Sequence, residues 1–169
     1  RHMDIMGPCR NSAVLVENFI PSDGRLLGIL AVPKPDGRTL AIKGSGILNL
    51  TDTMENGFVY FDLPEGAYRL FILFTTRTGG GSDHYMNLID SSSVKVLLDE
   101  VYEKHYARYS KYFGNVIAGF FSDEPELGNV KGYPFDNMLG QKDIRLPWSD
   151  ELERKLTDGR INISGNVVA

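Results

Sequence analysis

The chain has 169 residues, enough for one domain or two small ones. With 42% apolar and 24% charged residues it has the composition of a folded protein, which excludes wholesale disorder. The net charge is −4 and Lys and Arg form no block, so a surface that neutralises phosphates is not expected and nucleic acid is not the expected partner.

Cys9 is the only cysteine, which rules out an intrachain disulfide and a cysteine-based zinc site. Compartment is left open, with the cytoplasm favoured because no disulfide and no signal peptide are visible. No apolar run reaches the roughly 20 residues that span a membrane, so no membrane partner is expected.

Residues 1–11 read as a tag remnant, Arg1-His2-Met3, followed by a lead-in with Gly7-Pro8 and no periodicity. Residues 12–78 read as an antiparallel β-rich subdomain, a sandwich or small barrel of roughly 65 residues. Its strand candidates are Ala13–Val16, Leu26–Val32, Thr39–Ile42, Ile47–Leu50, Gly57–Leu63 and Ala67–Thr75. Turns are expected at Pro21-Ser22-Asp23-Gly24, at Pro33-Lys34-Pro35-Asp36-Gly37 and at Leu63-Pro64-Glu65-Gly66, where Pro presets φ and Gly tolerates positive φ.

Residues 79–90 open on Gly79-Gly80-Gly81-Ser82-Asp83, a Gly-rich linker. A phosphate-cradling loop is the sharper reading, but no Gly-Lys-Ser/Thr follows it. Asp90 or Ser91 should cap a long helix from Ser92 to Phe113, ended by Gly114. Val94, Leu97, Leu98, Val101, His105, Tyr109 and Phe113 form its apolar stripe, which makes His105 a core histidine before it is a ligand. The series Tyr102, Tyr106, Tyr109 and Tyr112 reads as packing rather than as a ligand-stacking ladder. Pro147-Trp148-Ser149 should open a last helix, with Ser149 as N-cap and Leu152 and Leu156 on the buried side.

Between these helices lies the stretch with the clearest chemistry. Val116-Ile117-Ala118-Gly119-Phe120-Phe121 is a short apolar run between turn signals, which predicts a strand buried on both faces. It gives way at once to Ser122-Asp123-Glu124-Pro125-Glu126, so carboxylates stand at the strand's C-terminal end, where α/β layers collect their chemistry. Repulsion between neighbouring carboxylates raises one pKa and suits a proton donor, and Pro125 biases Glu124 towards an extended conformation. Trp148 and Tyr133 would supply an apolar platform for a sugar ring, with Glu126 beside it. A solvated acidic turn without function, and a calcium site from Asp123, Glu124, Glu126 and Asp136, are the competing readings.

Several strings together carry a resemblance. Leu98-Asp99-Glu100-Val101-Tyr102, Tyr112-Phe113-Gly114, Gly119-Phe120-Phe121-Ser122-Asp123-Glu124-Pro125 and Leu146-Pro147-Trp148-Ser149 resemble a bacterial glycoside hydrolase pattern, that of α-L-rhamnosidase-like enzymes built on a (β/α)8 barrel. Leu63-Pro64-Glu65-Gly66-Ala67-Tyr68-Arg69 resembles the β-rich insertion of such enzymes. The resemblance implies Glu124 as general acid, places Asp123 where many relatives hold the 2-hydroxyl of the sugar with Asn, and implies a calcium requirement. Glycoside hydrolysis uses two carboxylates. A barrel of about 250 residues exceeds this chain, so residues 91–169 are expected to be a barrel segment that lacks the second carboxylate and is inactive alone.

The expected fold class is therefore mixed α and β: an antiparallel β-rich subdomain followed by a helix–strand–loop–helix piece of a barrel. The expected partner is carbohydrate. The alternative is a non-catalytic carbohydrate-binding or scaffold fragment with the β half as binding module. Self-association through exposed strand edges is a third expectation.

Overall fold

A computed structural model of the chain describes residues 1–38, 43–77, 85–123 and 146–157. They fall in two compact units, one with residues 1–38 and 43–77 and the other with residues 85–123 and 146–157. The architecture is mixed α and β: the first unit is an antiparallel sheet and the second is built on helices.

The strands are β1 (His2–Leu15), β2 (Arg25–Pro33), β3 (Leu48–Asn49), β4 (Met54–Glu55) and β5 (Phe58–Thr75). They form a sheet in the order β1-β5-β2-β3, with β4 also pairing β5. The spine is β5. On one side β1 runs along it from His2↔Phe71 to Leu15↔Phe58, and on the other β2 and β4 pair with its two ends. Val59, Phe61 and Leu63 from the first half of β5 share a core with Tyr68, Leu70 and Ile72 from the second half. Val16, Ile29, Ala31 and Leu50 complete it, so the sheet curls around a single core instead of stacking as the two layers of a sandwich.

Two sequence expectations fail here for one reason. Leu63-Pro64-Glu65-Gly66 is not a turn but the middle of β5, and residues 2–11 are not a lead-in but most of β1. On β5 the residues of the apolar core are odd-numbered up to Leu63 and even-numbered from Tyr68, so one extra residue lies between them. The ladder slips there, between Gly7↔Gly66 and Cys9↔Leu63. Pro8 and Pro64 both fall in this step, where their missing N–H groups interrupt no regular pairing. A second slip follows between Cys9 and Ser12, at Asn11 with φ 46°, and it shifts the core-facing positions of β1 from Met3, Ile5 and Cys9 to Val14. Each strand changes phase once, β5 between Leu63 and Tyr68 and β1 between Cys9 and Val14, so neither matches a single period-2 template over its length.

The turn at Pro21–Gly24 forms as the residues predict. Gly24 N–H donates to the Pro21 carbonyl at 2.7 Å, and the Asp23 carboxylate accepts from Thr76 Oγ1 and the Arg77 N–H, both at 2.8 Å. The start of β2 is thereby tied to the end of β5. The expected strand at Thr39–Ile42 and the Gly79–Asp83 stretch lie outside the described residues.

In the second unit a continuous helical run extends from Ser91 to Tyr112. It comprises α1 (Ser91–Leu97), a π-helical stretch (Leu98–Glu103), α2 (Lys104–Tyr109) and a 3-10 turn (Ser110–Tyr112). The Asp90 carboxylate accepts from the Ser92 N–H at 3.2 Å as N-cap, and Gly114, at φ 84°, follows the end. Lys95–Asp99 at 2.8 Å and Lys104–Glu100 are i,i+4 ion pairs along it. The expected buried stripe is incomplete: Val94 and Leu97 are half-buried, but Leu98, Val101 and His105 are exposed. The last helix, α3 (Asp150–Thr157), forms where predicted. Ser149 Oγ accepts from the Leu152 N–H at 3.1 Å and donates to the Ile89 carbonyl at 2.9 Å, so one hydroxyl caps α3 and fastens it to the segment before α1.

Candidate functional site

The run Val116–Phe121 is not a strand. Among the described residues its only ladder contact is a parallel bridge between Phe113 and Ile117, and Val116 is 78% and Phe121 88% exposed. A strand needs a neighbour that takes its N–H and C=O groups. Here the backbone N–H groups of Val116 and Ile117 instead donate back to the Tyr112 carbonyl, at 3.0 and 2.9 Å, and that turns the chain at the helix end.

The chain then folds along the helical run through Phe120. Its ring meets Tyr102 edge-on at 4.6 Å between centroids, His105 edge-on at 6.1 Å and Phe113 at 5.7 Å. Tyr102 belongs to the π-helical stretch, where the wider turn re-aims side chains. His105 is therefore part of a half-exposed aromatic cluster rather than a core residue, with Nδ1 2.7 Å from the Val101 carbonyl oxygen. Of the tyrosine series, Tyr106 packs on Phe113 at 5.4 Å, while Arg108 lies over Tyr109 and Lys111 over Tyr112. Phe120 thus anchors the segment, and Phe121, Ser122 and Asp123 leave it exposed to solvent.

Glu124, Glu126 and Tyr133 lie outside the described residues, as does Asp136 of the calcium reading. Trp148 is half-buried. Its indole N–H donates to Glu153 Oε2 at 3.3 Å, and its carbonyl accepts from Asn87 Nδ2 at 2.7 Å. Asn87 Oδ1 in turn accepts from the Ile89 N–H at 3.2 Å. The polar edge of the indole is thus engaged, and the ring is held by the cap of α3. Among the described residues no three His, Cys, Asp or Glu side chains gather as a metal site.

Two features of the sheet escaped the sequence reading. One is an ionic cluster: Asp4 accepts from Arg69 Nε at 2.8 Å and Nη2 at 3.1 Å, and from Lys34 Nζ at 2.6 Å. Lys34 and Arg69 are buried, and the two cations, Arg69 first, hold the Asp4 carboxyl down at about 2. These partners lie 30 and 65 residues from Asp4 in sequence, so no local signal announces them. The other is the outward row of β5, where Phe58 is 37% and Tyr60 45% exposed while Val59 between them is fully buried. That row was legible: Phe58 and Tyr60 are in antiphase with the core residues Val59, Phe61 and Leu63.

No family model, curated protein or solved structure matches this chain.

Proposed function

We propose that the chain carries the acid-bearing segment of a carbohydrate-active glycoside hydrolase, α-L-rhamnosidase-like, with Glu124 as general acid and Asp123 beside it. The observation that supports this reading is the anchoring of Phe120 among Tyr102, His105 and Phe113. The carboxylate string follows a fixed ring by three residues, and Asp123 faces solvent. A donor for a leaving group must be both accessible and held. The barrel context, the contributions of Glu126, Tyr133 and Trp148 to the sugar site, and the calcium requirement belong to the same proposal, which rests on the sequence resemblance. The second carboxylate of the reaction comes from outside this segment.

The test is hydrolysis of aryl glycosides, α-L-rhamnoside included, with calcium added and withheld. It is made on this chain and on the longest natural polypeptide containing it, each with and without Glu124→Gln. The longer polypeptide is expected to lose roughly 10²–10⁴-fold in rate on substrates with poor leaving groups. Undiminished turnover of the poor-leaving-group substrates after the substitution, or no turnover by either polypeptide, removes the reading. Turnover by the 169-residue chain alone removes the segment part of it.

A second reading has its own observation. The exposed aromatic side chains of the sheet favour a carbohydrate-binding role for the β unit that is independent of Glu124.

A further inference from the structure

We infer that the outward face of the Phe58 end of β5 is a stacking platform for a neutral glycan. The inference rests on the second reading above and gives it a site and a ligand class.

The face is defined by register. Directly opposed residues in antiparallel pairs share a face. Phe58 lies opposite Leu15 of β1 and Glu55 of β4, and Tyr60 lies opposite Ala13. Successive outward positions on β5 are Phe58, Tyr60 and Asp62, all exposed, while Val59, Phe61 and Leu63 fill the core behind them. The Phe58 and Tyr60 rings are 6.4 Å apart and inclined by 40°, two adjacent faces along one strand. Leu15, 37% exposed, extends the apolar surface across the pair. Isolated exposed apolar residues are ordinary; here three neighbouring ones lie on one face of a sheet that buries its other face, an arrangement that suits a stacking ligand.

The rim decides the ligand. Glu55 and Asp62 flank the rings, and both are exposed carboxylates, acceptors only when ionised. Asp62 is held in place, because its Oδ1 accepts from the Asn11 N–H at 2.6 Å across the strand pair. The complementary ligand has apolar faces for the rings and several hydroxyl donors at its edge, and it carries no negative charge against the two carboxylates. A neutral pyranose chain meets all three conditions. A uronate-rich or sulfated chain fails the last, and an apolar protein surface leaves the carboxylates without donors.

The experiment is affinity electrophoresis of the full chain in gels containing soluble galactomannan, xyloglucan or mixed-linkage glucan, with polygalacturonate as the anionic comparison. The variants are Tyr60→Ala, Phe58→Ala, Tyr60→Trp and Glu124→Gln, each checked for unchanged far-UV circular dichroism. At least one neutral polysaccharide is expected to retard the wild type. Either alanine variant should weaken retardation roughly tenfold, and Tyr60→Trp should keep it. Glu124→Gln should leave it unchanged, and polygalacturonate should not retard. No retardation by any neutral polysaccharide overturns the inference. So does retardation that survives both alanine variants, or that is lost with Glu124→Gln. A dimer in light scattering that Tyr60→Ala dissolves would assign the face to self-association and overturn it as well. Loss of hydrolysis with Glu124→Gln alone bears on the acid and not on this platform.

Discussion

Asp4 lies between two buried cations, Lys34 and Arg69, and its own side chain is 43% exposed. Removing it takes from both buried cations the carboxylate they share, which is costly, while solvent screening at the exposed carboxylate reduces the effect. Asp4→Asn is expected to lower stability by about 1–3 kcal/mol at neutral pH, measured by urea unfolding. The sign of the pH dependence follows from the depressed carboxyl, about 2 against an ordinary 3.8. A group whose folded pKa is lowered stabilises fully above its unfolded value, and that contribution disappears as pH falls through the folded one. The gap between wild type and Asp4→Asn should therefore be constant down to about pH 4 and close towards pH 2. A gap undiminished at the acid end would mean that the substitution acts through shape and not charge. None of this was readable at Asp4 itself, since strand pairing brings its partners to it.

At the scale of elements, β1 and β5 are long because their irregularities coincide. Gly7 makes this visible: a Cβ there would lie 1.9 Å from the Pro64 carbonyl oxygen, a backbone atom with no flexible end to yield. Gly7→Ala is expected to cost roughly 1–3 kcal/mol, read as a lowered thermal midpoint. Gly44→Ala, which meets nothing within 4 Å, is the matched control and should stay within roughly 0.5 kcal/mol of wild type. Equal midpoints for the two variants would show that the strand pair separates easily at the slip. The helices are the opposite case. Asp90, Ser149 and Gly114 mark their ends in the sequence and sit there in the structure, because capping is local chemistry. The run Val116–Phe121 is the failure of the same kind of reasoning: apolar composition was present, but among the described residues no strand pairs with it beyond the single bridge at Ile117.

At the scale of the whole molecule, the proposed acid and the proposed platform fall in different parts of the sequence, and their readouts should separate. Glu124→Gln should slow hydrolysis of poor-leaving-group substrates by the longer polypeptide and spare polysaccharide retardation, while Tyr60→Ala should weaken retardation and spare the rate on small aryl glycosides. A single substitution that removed both would mean one shared site. Legibility followed the same division. The aromatic row on β5 could be read by counting alternate residues, whereas the Phe120 cluster requires the chain to turn back at Gly114, which only the hydrogen bonds to the Tyr112 carbonyl specify.

The amino-acid sequence by itself determined the mixed α and β character, the helix ends, the turn at Pro21–Gly24 and the separation of a β-rich part from a helical part. These depend on periodicity, on φ preferences and on caps, all of which act within a few residues. Only the tertiary structure decided that two strand candidates and a turn are one strand, that residues 2–11 belong to the sheet, that Asp4 holds two buried cations, and that His105 faces outward with Phe120. Each of these turns on which distant segment lies alongside, and a chain's local preferences do not encode its neighbours.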